Sequence, residues 1–170
     1  MDTGKRIEPP RLRAPDEALG LYVHIPFCET KCPYCDFNTY AQIESLIPDY
    51  VSALQRELEL WGGLLHKPQT STIFFGGGTP SYLPVDDLKR LISTIDDGFD
   101  IDSTAEISLE ANPGDIDARR AAALRAIGFN RVSVGVQSFD DGLLQMLGRK
   151  HDANTAIAAI SSFRNGGFDS

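Results

Sequence analysis

Residues 21–35 read LYVHIPFCETKCPYC, a short apolar run that leads directly into a loop with three cysteines. LYVHI has the composition of a strand, and it ends at Pro26 because proline lacks the amide hydrogen that a sheet requires. Cys28, Cys32 and Cys35 follow within eight residues and are the only cysteines of the chain. The stretch therefore predicts a buried strand with a thiol-rich loop at its carboxyl end.

The CxxxCxxC spacing of this loop suits a 4Fe-4S cluster, because three thiolates hold three irons and leave the fourth open to another ligand. A structural zinc site needs a fourth protein ligand, and the nearest candidate, His24, lies on the predicted strand. A disulfide would leave one thiol over, and no secretory signal indicates an oxidising compartment. The spacing favours the cluster, with zinc, a disulfide or cysteines that only pack as the alternatives.

Composition and charge predict a globular protein that does not bind nucleic acid and has no transmembrane helix. Of 170 residues, 42% are hydrophobic and 24% charged, which suits one ordinary core. The formal net charge of −8 argues against a phosphate-backbone partner. The apolar runs are far shorter than the roughly 20 residues of a transmembrane helix. Residues 1–19 combine three prolines with mixed charges, so we expect a flexible arm there and a cytoplasmic protein.

Strand patterns alternate with helical patterns four times, which is typical of a parallel α/β fold. The strands are predicted at 21–25, 72–75, 105–109 and 131–136. The helices are predicted from Pro48 to about residue 65, from Pro84, from a cap at Asp115 to a stop at Gly128, at 140–147 and at 153–164.

Four βα units are too few to close a barrel of eight, and residues 168–170 look like the approach to a fifth strand. We therefore expect residues 20–170 to be the N-terminal part of a TIM-type (β/α) barrel, truncated before its remaining strands and any C-terminal domain.

Each predicted strand is followed by a polar or glycine-rich segment. The cysteine loop follows the first strand, GGGTP at 76–80 the second, EANPG at 110–114 the third and Gln137 the fourth. Loops after parallel strands converge on one face of a barrel, so the four segments predict one site. The glycines let a ligand approach the backbone, although GGGTP lacks the lysine of a phosphate-binding loop. Ordinary turns are the alternative for any single segment.

Four side chains near these segments have chemistry that suits a ligand. Tyr34 precedes Cys35 and could lie beside a molecule on the cluster, although packing is the commoner role of tyrosine. Glu110 follows an apolar strand, where a carboxylate needs a cation, a hydroxyl or water as partner. Gln137 offers a donor and an acceptor, and Arg149 can pair with a carboxylate, although isolated arginines are more often exposed.

Five motifs carry a resemblance to a known family: YVHIPFCxxxCxYC, GGGTPSYL, LEANP, GVQSF and GRKH, which together span residues 22–151. The chain resembles the radical S-adenosylmethionine (SAM) proteins, in the branch that contains oxygen-independent coproporphyrinogen III oxidases and HemW-type heme chaperones. The resemblance implies a radical SAM barrel in which Cys28, Cys32 and Cys35 hold a 4Fe-4S cluster. It also implies that SAM binds the fourth iron, which has no cysteine ligand. It also implies SAM contacts at Tyr22, Tyr34, Gly77, Gly78, Thr79, Glu110, Gln137 and Arg149.

One departure bears on which activity the resemblance implies. The oxidases typically read CxxxCxxCxC, whereas Phe37 occupies the position of the additional cysteine. The resemblance thus favours a chaperone that binds heme and passes it to an acceptor protein, with an unidentified electron donor and no assigned catalytic residue. A porphyrin oxidase or other oxidoreductase that uses a 5′-deoxyadenosyl radical, and a zinc-stabilised binding module, are the alternatives.

Overall fold

The computed structural model describes residues 17–170, so residues 1–16 of the expected N-terminal arm lie outside the described residues. The strands are β1 (Leu19–Ile25), β2 (Phe27–Cys28), β3 (Tyr40–Ala41), β4 (Gln69–Gly77), β5 (Asp100–Ala111) and β6 (Arg131–Val134). The α-helices are α1 (Ile47–Leu64), α2 (Val85–Gly98), α3 (Ala118–Ala126), α4 (Asp141–Met146) and α5 (Ala153–Asn165). This alternation is the predicted α/β pattern of four βα units.

The main sheet contains β1, β4, β5 and β6 in that order, and each strand runs parallel to its neighbours. The register pairs Ile25 with Gly77 at the end of β1 and β4, and Ala111 with Val134 at the end of β5 and β6. Strand ends aligned in this way bring the loops that follow them to one edge of the sheet. The predicted convergence of the four loops is thereby confirmed.

The two-residue strands β2 and β3 close the base of the cysteine loop. Phe27 pairs with Tyr40 and Cys28 with Ala41, and the amide of Tyr40 donates to the carbonyl of Pro26 over 2.8 Å. Both ends of the loop are therefore held by backbone hydrogen bonds, which restricts the positions that its cysteines can take.

One apolar core lies between the sheet and the helices. Its strand members include Val23, Ile25, Ile73, Phe75 and Leu109, and its helix members include Val51, Leu58, Leu88, Leu91, Ile95 and Leu124. Phe75 meets Phe129 edge to face at a centroid distance of 5.1 Å, a favoured aromatic geometry. No helix among residues 17–170 is both long enough and apolar enough to cross a membrane.

Several predicted boundaries differ from the structure. Strands β4 and β5 begin at Gln69 and Asp100, earlier than the predicted residues 72 and 105. Helix α3 begins at Ala118 and is capped by Asp117, whose carboxylate accepts from the amide of Arg120 over 2.7 Å, whereas Asp115 accepts from Ser81 instead. Strand β6 ends at Val134 rather than at residue 136. The amide of Val136 donates to the carbonyl of Val134, and the amide of Ser138 to the carbonyl of Val136, each over 2.8 Å. Three-residue γ-turns therefore replace the extended backbone there.

The last residues lie against the outer edge of β6. The amide of Asp169 donates to the carbonyl of Asn130, and the amide of Val132 donates to the carbonyl of Ser170, each over 3.0 Å. Phe168 is buried against Phe163. These contacts cover part of the edge of β6 that faces away from β5.

Candidate functional site

A cavity of about 340 Å³ lies at the carboxyl edge of the sheet, between the loops that follow the four strands. Every residue predicted for the site except Tyr22 lines it: Cys28, Cys32, Cys35, Tyr34, Gly77, Gly78, Thr79, Glu110, Gln137 and Arg149. The folded chain thus gathers residues from all four βα units in one place.

Tyr22 lies in a neighbouring pocket of about 180 Å³, which it shares with Glu110 and Gly77. Burial, and secondarily the charge of Glu110, raise the pKa of the Tyr22 hydroxyl above its ordinary value. That hydroxyl lies 2.9 Å from Nδ1 of His24, and Nε2 of His24 lies 3.1 Å from the carbonyl of Asn38. Both ring nitrogens of His24 therefore have hydrogen-bond partners within the protein.

The three cysteines are free thiols, each partly buried. Burial raises the pKa of the Cys28 thiol above its ordinary value, and the hydrogen bond from Thr79 partly offsets this increase. In residues 17–170, no three Cys, His, Asp or Glu side chains come together in an arrangement that could hold a single metal ion. All three thiols line the same cavity, and in a polynuclear iron-sulfur cluster each cysteine binds a different iron.

Arg149 is tied into the site rather than exposed. Its Nη1 lies 3.3 Å from Sγ of Cys32 and 3.4 Å from the hydroxyl of Tyr34. Its Nη2 donates to Oδ1 of Asn112 over 2.7 Å and to the carbonyl of Gly135 over 2.8 Å. The guanidinium therefore connects the cysteine loop to the segments after β5 and β6.

Glu110 meets the backbone of the glycine loop. Its Oε2 accepts from the amide of Gly77 over 3.0 Å, a partner that differs from the cation, hydroxyl or water expected from the sequence. Gly77 has a φ of +114°, and a Cβ there would lie 2.5 Å from the ring of His24. A Cβ on Gly78 would lie 2.7 Å from the carbonyl oxygen of Phe27. Both positions therefore require glycine.

Gln137 combines exposure with an unusual backbone. Its φ is +66°, in the left-handed region that non-glycine residues seldom occupy. Backbone strain of this kind is concentrated at ligand sites and switch regions, where the surrounding structure imposes it. The side chain lines the cavity beside Gly135 and Val136.

Two side chains that form hydrogen bonds at the site, Asn112 and Lys31, were not predicted from the sequence. Asn112 bonds both Arg149 and Thr79, and its position two residues after Glu110 in the motif LEANP was the available signal. Lys31, inside the cysteine loop, has its Nζ 3.4 Å from the carbonyls of Phe37 and Thr39. A lysine among cysteines carries no distinctive pattern, so nothing in the sequence pointed to that contact.

Comparisons with known proteins agree with this geometry. The Radical SAM superfamily model matches residues 22–170. The chain is 41% identical over 158 residues to the heme chaperone HemW of Haemophilus influenzae, covering 89% of this chain and 41% of that protein. It is 36% identical over 159 residues to the oxygen-independent coproporphyrinogen III oxidase of Salmonella typhimurium, covering 93% of this chain and 35% of that protein.

The structure is also similar to that of coproporphyrinogen III oxidase from Escherichia coli, a solved structure described as a radical SAM enzyme. The TM-score is 0.84 at 35% identity, and the match covers 90% of this chain and 36% of that one. The chain thus spans about two fifths of the length of these curated relatives. The matched fold, together with a family model that covers most of the chain, confirms the resemblance seen in the motifs and the partial (β/α) barrel expected from the four βα units. The chain belongs to the radical SAM superfamily.

Proposed function

We propose that this chain forms the cluster-binding and SAM-binding part of a heme chaperone of the HemW kind. The observation that carries the proposal is the cavity in which Cys28, Cys32 and Cys35 meet Glu110 and Arg149. A cluster with one open iron needs three thiolates together with groups that bind a small zwitterionic ligand, and the cavity offers both.

One buried polar atom supports the fit. Nε of Arg149 is buried and has no hydrogen-bond partner among the described residues, and Arg149 lines the cavity. A buried polar atom of this kind is costly unless a ligand or water satisfies it, which suits a site that binds a polar group.

We assign the residues as follows. The three thiolates hold irons of a 4Fe-4S cluster, and Arg149 places a positive charge where a carboxylate of SAM can be neutralised. Glu110, Gln137, Thr79 and the backbone of Gly77 and Gly78 supply acceptors and donors for the remaining polar groups of SAM, and Tyr22 and Tyr34 flank it. When bound, the cluster and SAM supply one-electron chemistry, and the protein contributes orientation and the exclusion of water.

The chaperone is favoured over the oxidase by Phe37. This side chain is 65% exposed and lines the cavity at the position where the oxidases typically have a further cysteine. The similarity to proteins named heme chaperone points the same way. We further propose that the complete protein carries heme or a porphyrin, transfers heme to an acceptor protein and works in the cytoplasm.

The oxidase is the second candidate, because the solved structure of similar fold is a coproporphyrinogen III oxidase. Heme titration of the complete, anaerobically reconstituted protein separates the two. A chaperone should form a stable heme complex and leave coproporphyrinogen unchanged in the presence of SAM and dithionite. Decarboxylation of coproporphyrinogen with release of 5′-deoxyadenosine, and no stable heme complex, would overturn the proposal.

The zinc-stabilised module is tested by the same preparation. Reconstitution with iron and sulfide should give the broad brown absorbance of an iron-sulfur protein. A colourless protein with stoichiometric zinc would exclude both the chaperone and the oxidase as proposed.

A further inference from the structure

Asn112 lies at the centre of a chain of hydrogen bonds that ends on two cysteine sulfurs. Its Oδ1 accepts from Nη2 of Arg149 over 2.7 Å, and its Nδ2 donates to Oγ1 of Thr79 over 3.1 Å. The Thr79 hydroxyl lies 3.4 Å from Sγ of Cys28, and Nη1 of Arg149 lies 3.3 Å from Sγ of Cys32. One amide side chain therefore connects to donors at two of the three cysteines.

The direction of each bond in this chain is determined by its members. Arg149 can only donate, so the amide oxygen of Asn112 must face it and the amide nitrogen must face Thr79. The Thr79 hydroxyl has a single proton, and because Asn112 donates to its oxygen, that proton is free to point toward Cys28. Asparagine is thus the residue type that supplies an acceptor on one side and a donor on the other.

The backbone of Asn112 is fixed by hydrogen bonds to two neighbouring segments. Its backbone amide donates to Oγ of Ser81 over 3.2 Å, and its backbone carbonyl accepts from the backbone amide of Asp115 over 3.1 Å. Ser81 in turn donates to Oδ2 of Asp115 over 2.7 Å. Arg120 secures the same segment by donating from Nη2 to the carbonyls of Ser81 and Leu83. A side chain anchored in this way can hold its partners in one geometry.

We propose that Asn112 is a positioning residue that directs the Thr79 hydroxyl at Cys28 and the Arg149 guanidinium at Cys32, and so sets the reduction potential of the bound cluster. Hydrogen bonds to cysteine sulfur stabilise the extra electron of a reduced cluster and raise its potential. The inference rests on the proposed cluster, and it assigns Asn112 no contact with SAM or substrate.

The test is a double-mutant cycle on the complete, reconstituted protein, with the cluster midpoint potential read by EPR-monitored titration. Asn112→Asp keeps the acceptor for Arg149, but its carboxylate attracts the Thr79 proton away from Cys28. Thr79→Val should therefore lower the midpoint in the wild-type background and change it little in the Asn112→Asp background. Both proteins compared in the Asn112→Asp background carry the added negative charge, so its effect on the midpoint cancels from the difference between them.

A second substitution, Asn112→Leu, provides the test if the Asn112→Asp protein does not fold. Asn112→Leu removes both side-chain hydrogen bonds without adding charge. It should lower the midpoint, reduce the effect of Thr79→Val, and speed the loss of iron to a chelator by roughly 10-fold. Circular dichroism melting of each variant reports whether the fold is retained.

Asn130 provides the matched control, because it directly precedes β6 at the opposite edge of the sheet. Its Nδ2 donates to the carbonyl of Ala105 and its Oδ1 accepts from the amide of Ile107, each over 2.8 Å. Asn130→Asp should lower the melting temperature and leave both the midpoint and the effect of Thr79→Val unchanged. An equal effect of Thr79→Val in every background, or none in the wild type, would overturn the role of Asn112. Absence of a cluster from the wild-type protein would instead contradict the proposed function.

Discussion

The guanidinium of Arg149 lies 3.3 Å from the sulfur of Cys32, although 117 positions separate the two residues along the chain. The contact exists because Cys32 follows β1 at one side of the sheet and Arg149 follows α4, beyond β6 at the other side. A segment from the last βα unit thus closes the cavity over the cysteine loop. The integrity of the site consequently depends on the whole sheet.

Replacement of Arg149 by lysine should weaken SAM binding. A guanidinium reaches Cys32, Tyr34, Asn112 and Gly135 together, whereas a lysine ammonium is a single point charge that cannot span them. We expect Arg149→Lys to raise the dissociation constant for SAM by about 10-fold, the size of a lost charge-assisted hydrogen bond. Anaerobic isothermal titration calorimetry measures the affinity, and Lys150→Arg, at an exposed position, is the control. Wild-type SAM affinity in Arg149→Lys would contradict the assignment of Arg149 as a SAM contact.

Cys32→Ser should abolish stable cluster loading. A serine hydroxyl binds iron poorly compared with a thiolate, and the remaining two cysteines cannot hold the cluster alone. Iron and acid-labile sulfide should fall to background after anaerobic reconstitution and desalting. Thr30→Ala, in the same loop, should load normally. A full cluster in the Cys32→Ser protein would refute the ligand assignment.

Glu110→Gln should reduce SAM affinity with the cluster intact. The substitution replaces a charged acceptor by a neutral one at a side chain that bonds the amide of Gly77, so we expect roughly 10-fold weaker binding. Glu106→Gln is the matched control on the same strand, since Glu106 is exposed and forms an ion pair with Arg131 over 3.6 Å. Equal SAM affinities of the two variants, measured by equilibrium dialysis, would argue against Glu110 as a contact.

Adjacent glycines in α1 should respond in opposite ways to alanine. A Cβ on Gly62 would lie 2.6 Å from the carbonyl oxygen of Gly98 in α2, whereas a Cβ on Gly63 would meet nothing within 4 Å. Gly62→Ala should therefore lower the free energy of unfolding by about 1–3 kcal/mol. Gly63→Ala should raise it by up to about 1 kcal/mol, because alanine favours the helix. Urea denaturation distinguishes them, and similar values would contradict the close α1–α2 contact.

Acid should destabilise the fold through His151. Its side chain is buried, and Nε2 lies 3.0 Å from the carbonyl of Val136. Burial lowers the pKa of His151 below the ordinary 6.5 and the charge of Arg149 acts in the same direction, whereas the hydrogen bond to Val136 and the charge of Asp152 oppose this decrease. Below about pH 6.5 the unfolded chain therefore binds a proton that the folded chain resists, so stability falls as the pH decreases. At higher pH both forms are neutral and the effect disappears.

His151→Gln keeps a donor for Val136 and removes this proton. The fall in melting temperature between about pH 7.5 and about pH 5.5 should be smaller in the variant than in the wild type. His66→Gln is the control, since His66 lies at the end of α1, away from the cavity. An unchanged pH dependence in His151→Gln would show that other groups cause the acid response.

Much of the fold was accessible from local patterns. The four main strands lie where apolar runs and proline or glycine stops predicted them, because strand formation and termination depend on neighbouring residues. Boundaries that depend on a choice between nearby caps were less accessible. Both Asp115 and Asp117 can cap a helix, and the hydrogen bond from Ser81 in another loop occupies Asp115 and leaves Asp117 to α3.

By itself, the sequence determined the order of βα units, the three clustered thiols and the edge of the sheet at which the loops meet, since these follow from spacing and from the parallel direction of the strands. Only the tertiary structure decided which donors face which sulfurs. In the folded chain both ring nitrogens of His24 have hydrogen-bond partners. Arg149 lies beside Cys32 and Thr79 beside Cys28, and Asn112 forms hydrogen bonds with both Arg149 and Thr79. Such contacts join residues far apart in the chain, and their direction depends on geometry that no local pattern encodes.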